Sequence, residues 1–236
     1  MSSILILCII SALVALLGPT YGAVAGAGVQ ESGLDRRKPA VILDTVTLRD
    51  MGLRGHGARY DTTNVTKPFD YPMLKQCVDP WGDDLMVTKT ICQVGCLMSS
   101  TSMGLAGTDI QIPADTDSLV DANPGTLNKW LQDNGGYDDD NDFIEPVAVN
   151  INPDRIVWPD DAMHKTNDLD YDTVKEYLDA GRIVIGNVME GHHFVLLTGY
   201  STDGDTFAVN DPGFNTLTYS YKEDIVGYRI FDMKRD

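Results

Sequence analysis

Basic residues are scarce: 18 Lys and Arg stand against 35 Asp and Glu, a formal charge of −17. That deficit excludes a nucleic-acid binder working through basic patches, because phosphate neutralisation needs clustered Lys and Arg in net excess. Proline is also sparse, at 11 residues against 22 glycines. With 43% hydrophobic and 22% charged residues, the composition is that of a globular chain able to bury a core, not of a disordered or collagen-like one. No self-similarity occurs at the roughly 20 to 50 residue periods of solenoids, which excludes a repeat architecture. Long apolar runs are missing too. The longest, Ile4 to Leu17, has 14 residues, too short to cross ~30 Å of hydrocarbon as a helix.

That run lies in a stretch of 22 residues without a charged side chain, followed by small residues at Thr20 and Gly22, or at Ala23 and Ala25, that suit a signal peptidase. Residues 1–22 are therefore expected to be a secretory signal. The mature protein is expected to be secreted (extracellular, or in the lumen of the secretory or lysosomal pathway) and to make no membrane contact once the signal is removed. The four cysteines are Cys8, Cys77, Cys92 and Cys96, and Cys8 leaves with the signal. An oxidising compartment favours one disulfide among the remaining three. Pairing Cys77 with Cys92, 15 residues apart, leaves Cys96 as a thiol. A zinc site is disfavoured, because a C-x3-C spacing with histidines only at 56, 164, 192 and 193 is a poor ligand set. The acidic stretch Asp138 to Asp142 fails as an EF-hand: its sixth position is Phe143 instead of Gly and its twelfth is Val149 instead of Glu. It reads as a solvated loop, and His56 and His164 as ordinary exposed histidines. No metal and no cofactor is expected.

Residues 23–68 are rich in Gly, Thr, Arg and Asp and form an N-terminal extension or propeptide. It carries a compact basic cluster, Asp35-Arg36-Arg37-Lys38-Pro39, and one N-x-T sequon at Asn64. Regular periodicity begins at Phe69, so residues 69–236 are expected to be the folded domain. Gly95 opens a helix running through Met103. Asn123-Pro124 caps a second, with Leu127, Trp130 and Leu131 on one face and Gly135-Gly136 as its stop. A third begins near Asp170 and ends at Gly181. Beyond Gly181 the pattern changes to period two with β-branched and aromatic residues. Strands are expected over 182–188, 194–200, 206–210, 216–221 and 228–231, with Asp203-Gly204-Asp205 as a hairpin turn. Helices preceding an antiparallel β-sheet make the α+β class.

Cys96 begins a helix, where unpaired N–H groups and the positive end of the helix dipole favour a thiolate. His193 starts a strand on one face with Val195 and Leu197. Asp211 ends the neighbouring strand, and adjacent antiparallel strands can bring the two together. With these residues in view, three separated segments resemble the papain-like cysteine peptidases of the bacteriocin-processing (double-glycine peptidase) family, in its stand-alone branch. They are Leu74-Lys75-Gln76 with Asp79-Pro80-Trp81-Gly82; Gly95-Cys96 through Met103; and Gly191-His192-His193 through Tyr200 with Val209-Asn210-Asp211-Pro212-Gly213. The resemblance covers roughly Phe69 to Phe231.

It implies a papain-like fold and the roles of Cys96 as nucleophile, His193 as base and acid, Asp211 as the group orienting His193, and Gln76 as oxyanion donor. Gln93 is a rival to Gln76, and His192 a rival to His193. Leu97-Met98 departs from the small pair often found after the nucleophile. The implied reaction is thiolate attack on an amide carbonyl through an acyl-enzyme. The implied partner is a peptide or protein substrate, and the charge of −17 favours basic ones. The alternatives are a non-catalytic papain-fold binding module and acyl transfer on the same triad. Double-glycine specificity belongs to relatives fused to export transporters and is not carried over. Oligomeric state is not legible in the sequence.

Overall fold

Where the chain first turns regular, local signals set the element boundaries. The computed structural model describes residues 64–115 and 117–236. The expected signal over 1–22 with Cys8, the basic cluster Asp35 to Pro39 and His56 lie outside the described residues. Strand β1 (Val65–Thr66) opens the described chain. Helix α1 (Ile91–Val94) starts in a capping box, Thr90 accepting from the Gln93 amide while the Gln93 side chain accepts from the Thr90 amide. Gly95 then joins it to α2 (Cys96–Gly107). A small hairpin of β2 (Ile112–Pro113) and β3 (Leu119–Val120) follows. Helix α3 (Pro124–Asp133) has Asn123 as its cap and Pro at its first position.

Two short strands come next, β4 (Ile156–Val157) and β5 (Met163–His164). Helix α4 (Tyr171–Asp179) is capped by Asp170, whose side chain accepts from the Thr173 amide. The main strands are β6 (Ile183–Val188), β7 (His193–Ser201), β8 (Thr206–Asn210), β9 (Thr218–Ser220) and β10 (Gly227–Met233). All pairings are antiparallel, in the order β4-β10-β6-β7-β8-β9, with β5 also on β10 and β1 also on β7. This is the expected α+β class, with three short strands (β1, β4 and β5) added to the sheet beyond the five anticipated. Among the described residues no helix is long and apolar enough to cross a membrane.

All nine residues of β7 are buried, because both faces of the sheet are covered. Phe194 and Leu196 pack into one apolar cluster with α2, α3 and the preceding loops. Val195 and Leu197 pack into the other, with α4 and the far ends of the sheet. Helix α2 is itself buried nearly all round and has no amphipathic stripe, a pattern that suits a central helix. Three of its four hydroxyls are tolerated there because they bond carbonyls: Thr101 Oγ1 donates to Leu97 O at 3.0 Å, Ser102 Oγ to Ser99 O at 2.7 Å and Ser100 Oγ to Phe194 O at 3.3 Å, while Ser99 Oγ is buried without a partner among the described residues.

β1 lies inside the stretch assigned to the extension. Val65 and Thr66 pair with Ser201 and Tyr200, so the ordered fold reaches at least four residues further toward the N-terminus than Phe69. The pairing went unforeseen because two residues carry no periodicity.

Candidate active site

Cys96 is the first residue of α2 and is 1% exposed. At that position the helix dipole presents its positive end to the sulfur. The other two described cysteines are bonded to each other, Cys77 to Cys92, the pairing that the sequence suggested. Cys96 therefore keeps its thiol.

His193 stands at the start of β7, and Asp211 follows the end of β8, whose last residue Asn210 pairs with Leu196. That register brings His193 Nε2 to 2.7 Å from Asp211 Oδ1, with both side chains enclosed. The carboxylate is held from several sides. Oδ1 also accepts from the Gly213 and Phe214 amides, both at 2.9 Å, and Oδ2 accepts from the Tyr219 hydroxyl at 3.0 Å. Gly213 is needed for close approach: a Cβ there would stand 2.9 Å from His193 Cε1. Phe214 meets the imidazole edge-on, ring centres 5.1 Å apart.

Burial disfavours charge on His193, but hydrogen bonds to Asp211 and to Cys96, together with the negative charge of both, outweigh it. They push the imidazole up to about 9. With Nε2 committed to Asp211, Nδ1 is the ring nitrogen left for the Cys96 side. The pair is thus arranged as imidazolium beside sulfur, the state that makes a thiol nucleophilic at neutral pH.

Gln76 is 1% exposed and is clamped by its backbone, whose amide donates to Pro212 O at 2.9 Å. Its side-chain amide donates to Cys92 O at 2.8 Å and more distantly to Ile91 O at 3.4 Å. Its Oε1 lies 3.5 Å from the point a Gly213 Cβ would occupy, the same distance as His193 Nε2 from that point. Gln76 is therefore a neighbour of the His193 pair and of the helix that leads into Cys96. Around it, Lys75 Nζ donates to Asp211 O at 2.7 Å, and Trp81 Nε1 donates to Lys75 O at 2.8 Å. Gln93, the rival, is exposed and spent on the α1 capping box.

The structure brings together Cys96, His193, Asp211 and Gln76. His192 is exposed on the rim of a cleft and takes no part in the Asp211 contact. His164 departs from the expectation of an exposed residue. It sits half-buried in β5, its Nδ1 2.8 Å from Asp168 Oδ1, because β5 pairs with β10. The Asp138 to Asp142 loop is less free than expected: Asn141 is buried, and its Oδ1 accepts from the Val87, Thr88 and Lys89 amides at 3.1, 2.8 and 3.0 Å. Sequence reasoning missed Tyr219 altogether. Its position two strands from His193 leaves no local signal, whereas the turn amides after Asp211 follow from Asp-Pro-Gly chemistry.

Beside Cys96 opens a cleft of about 620 Å³, whose lining includes Cys96, Leu97 and His192. Comparison with known proteins gives one match: the family model described as Peptidase_C39 like family matches residues 69–230. No curated protein and no solved structure matches the chain.

Proposed function

The chain belongs to the Peptidase_C39-like family, and from that premise we propose that it is a secreted, stand-alone cysteine peptidase or related amide hydrolase with Cys96 as nucleophile. The observation that supports this reading is the convergence of the Cys96 thiol on His193, whose far nitrogen is held by Asp211 at 2.7 Å. Secretion has the Cys77–Cys92 disulfide in its favour, since such bonds persist in oxidising compartments.

The Cys96 thiolate attacks the carbonyl carbon of a peptide bond, and the carbonyl oxygen takes up the negative charge. The Cys96 amide at the head of α2 and the Gln76 side-chain amide, which gives up its long 3.4 Å contact to Ile91 O, are the donors for that oxyanion, a contribution of ~3 to 4 kcal/mol per donor. Collapse breaks the C–N bond as the His193 imidazolium gives its proton to the leaving amine. The neutral imidazole then takes a proton from water, the hydroxide attacks the thioester, and the acid product leaves with thiolate and imidazolium restored. Asp211, 2.7 Å from Nε2, holds the imidazole in one orientation throughout.

Two measurements test this. An iodoacetamide probe should label Cys96 rapidly well below the ~8.5 of an ordinary thiol, and a mixed peptide library should be cleaved. Cys96→Ala should abolish both, and His193→Ala should slow labelling and lower hydrolysis by roughly three orders of magnitude or more. If Cys96→Ser hydrolyses as well as the wild type, the assignment is wrong. Products that appear only with added amine would assign acyl transfer instead.

A further inference from the structure

The cleft beside Cys96 has two zones of different chemistry. Met86, Met98, Phe143 and Phe194 line it and are all buried, so its deep part is apolar. Its charged lining consists of four carboxylates, Asp140, Asp142, Glu145 and Glu190, and two cations, Lys165 and Arg229. Arg229 Nε donates to Glu145 Oε1 at 2.6 Å with both side chains buried, and its guanidinium lies 5.3 Å from the Phe194 ring centre. That pair cancels itself. Three exposed carboxylates then face one exposed lysine, Lys165, around an apolar interior.

We infer that this cleft receives a lysine or arginine side chain of a peptide laid across Cys96, its aliphatic stem on the apolar lining and its cationic head among Asp140, Asp142 and Glu190. The inference rests on the hydrolase reading and names the substrate class for that site. A long stem ending in a charge is the side-chain form that matches an apolar interior under an acidic rim. Asn187 belongs to the same lining, and its enclosed Oδ1 has no hydrogen-bond donor among the described residues.

The carboxylates are held in place before any ligand arrives. Asp140 and Asp142 flank Asn141, whose three accepted amides fix the loop to residues 87–89. Negative charge is in excess there: burial, followed by the charges of Asp138, Asp140 and Glu145, raises the Asp142 carboxyl above its usual range, with Lys89 opposing only in part. A cation relieves that crowding. Among the described residues no three His, Cys, Asp or Glu are grouped to hold a metal ion. Glu190 comes from the β6–β7 turn, where Met189 and Glu190 both hold positive φ, at 53° and 58°. Backbone strain of this kind gathers at ligand-contacting turns.

The test uses the full chain and fluorogenic octapeptides that differ at one position, carrying Lys, Arg, Gln, Met or Glu and scanned across both sides of the scissile bond. At one position the basic peptides should exceed the Gln and Met peptides in kcat/KM by roughly tenfold, a preference that falls with salt. Asp142→Asn with Glu190→Gln should collapse that ratio. The Cys96→Ala chain should bind the same peptides in the same order by fluorescence anisotropy. Cleavage or binding indifferent to the varied residue, or a preference that survives the double substitution, overturns the inference and leaves the hydrolase reading intact. Ordered binding without any hydrolysis by the wild type overturns the hydrolase reading instead and keeps the subsite.

Discussion

A single imidazole couples the chemistry of this site to its pH dependence. In the folded protein His193 is pushed up to about 9, against ~6.5 for an unperturbed histidine. A raised folded-state value means that the native state holds the proton more tightly than the unfolded chain. The stabilisation it brings is thus fully present below pH ~6.5 and is lost as pH rises through about 9. In the proposed reaction the same proton balances a Cys96 thiolate, so hydrolysis should fall on an alkaline limb in that region. Asp211→Asn keeps an acceptor for the Gly213 and Phe214 amides but removes the charge, and should move the limb toward lower pH. Tyr219→Phe removes only the hydroxyl on Asp211 Oδ2, and should give a smaller change in the pH profile with a stability loss of about 1 kcal/mol. A pH–rate profile identical in all three proteins would exclude His193 and Asp211 from the reaction.

At the scale of elements, legibility followed length and local chemistry. α3 and α4 were readable because Asn123, Pro124 and Asp170 are capping residues followed by apolar positions at helical spacing. The long strands β6, β7, β8 and β10 were readable from β-branched runs bounded by turns. β4 and β5, two residues each, were not, because tertiary pairing with β10 and not local propensity makes them strands. In the site, Cys96, His193 and Asp211 could be named since each sits at the end of a readable element. The cleft could not, because its lining comes from widely separated segments, and neither could the pinning of the acidic loop by Asn141.

The disulfide ties one of these elements, α1, to the segment that carries Gln76. It joins the residue after Gln76 to α1, whose Ile91 and Cys92 carbonyls receive the Gln76 amide. Its loop spans 15 residues, worth ~3 kcal/mol on the chain-entropy account. Replacing Cys77 and Cys92 by Ser should therefore lower stability by about that amount and slow turnover through Gln76, while Cys96 still alkylates. Non-reducing peptide mapping checks the bond itself: alkylation of both residues without reductant, or a bridge from Cys92 to Cys96, would contradict it.

For the whole molecule, the question is where the autonomous fold begins. The family match starts at residue 69, yet β1 pairs with β7 upstream of it, and the geometry of Gly199 shows how tightly. A Cβ on Gly199 would stand 2.3 Å from Thr66 O and 2.9 Å from Lys67 Cγ, closer than any side chain tolerates. β7 is therefore shaped to receive the segment before Phe69. Further along, Asn210 Nδ2 donates to Tyr71 O at 3.0 Å and Pro72 O at 3.2 Å, so residues 71–76 are stitched to the Asp211 loop whether or not β1 is present. A chain starting at Asn64 should unfold cooperatively, and one starting at Phe69 should fold but be less stable by about 2 kcal/mol, having lost the β1 hydrogen bonds. Gly199→Ala separates this from a general effect of shortening. In the chain from Asn64 the added methyl must expel Thr66 and should cost about as much as deleting β1. In the chain from Phe69 the obstructing atoms are gone, and the same substitution should be close to neutral, because alanine loses less backbone entropy than glycine in a strand. Denaturant midpoints of the four proteins decide it: an equal cost of Gly199→Ala in both backgrounds would mean that β1 does not lie on β7 in solution.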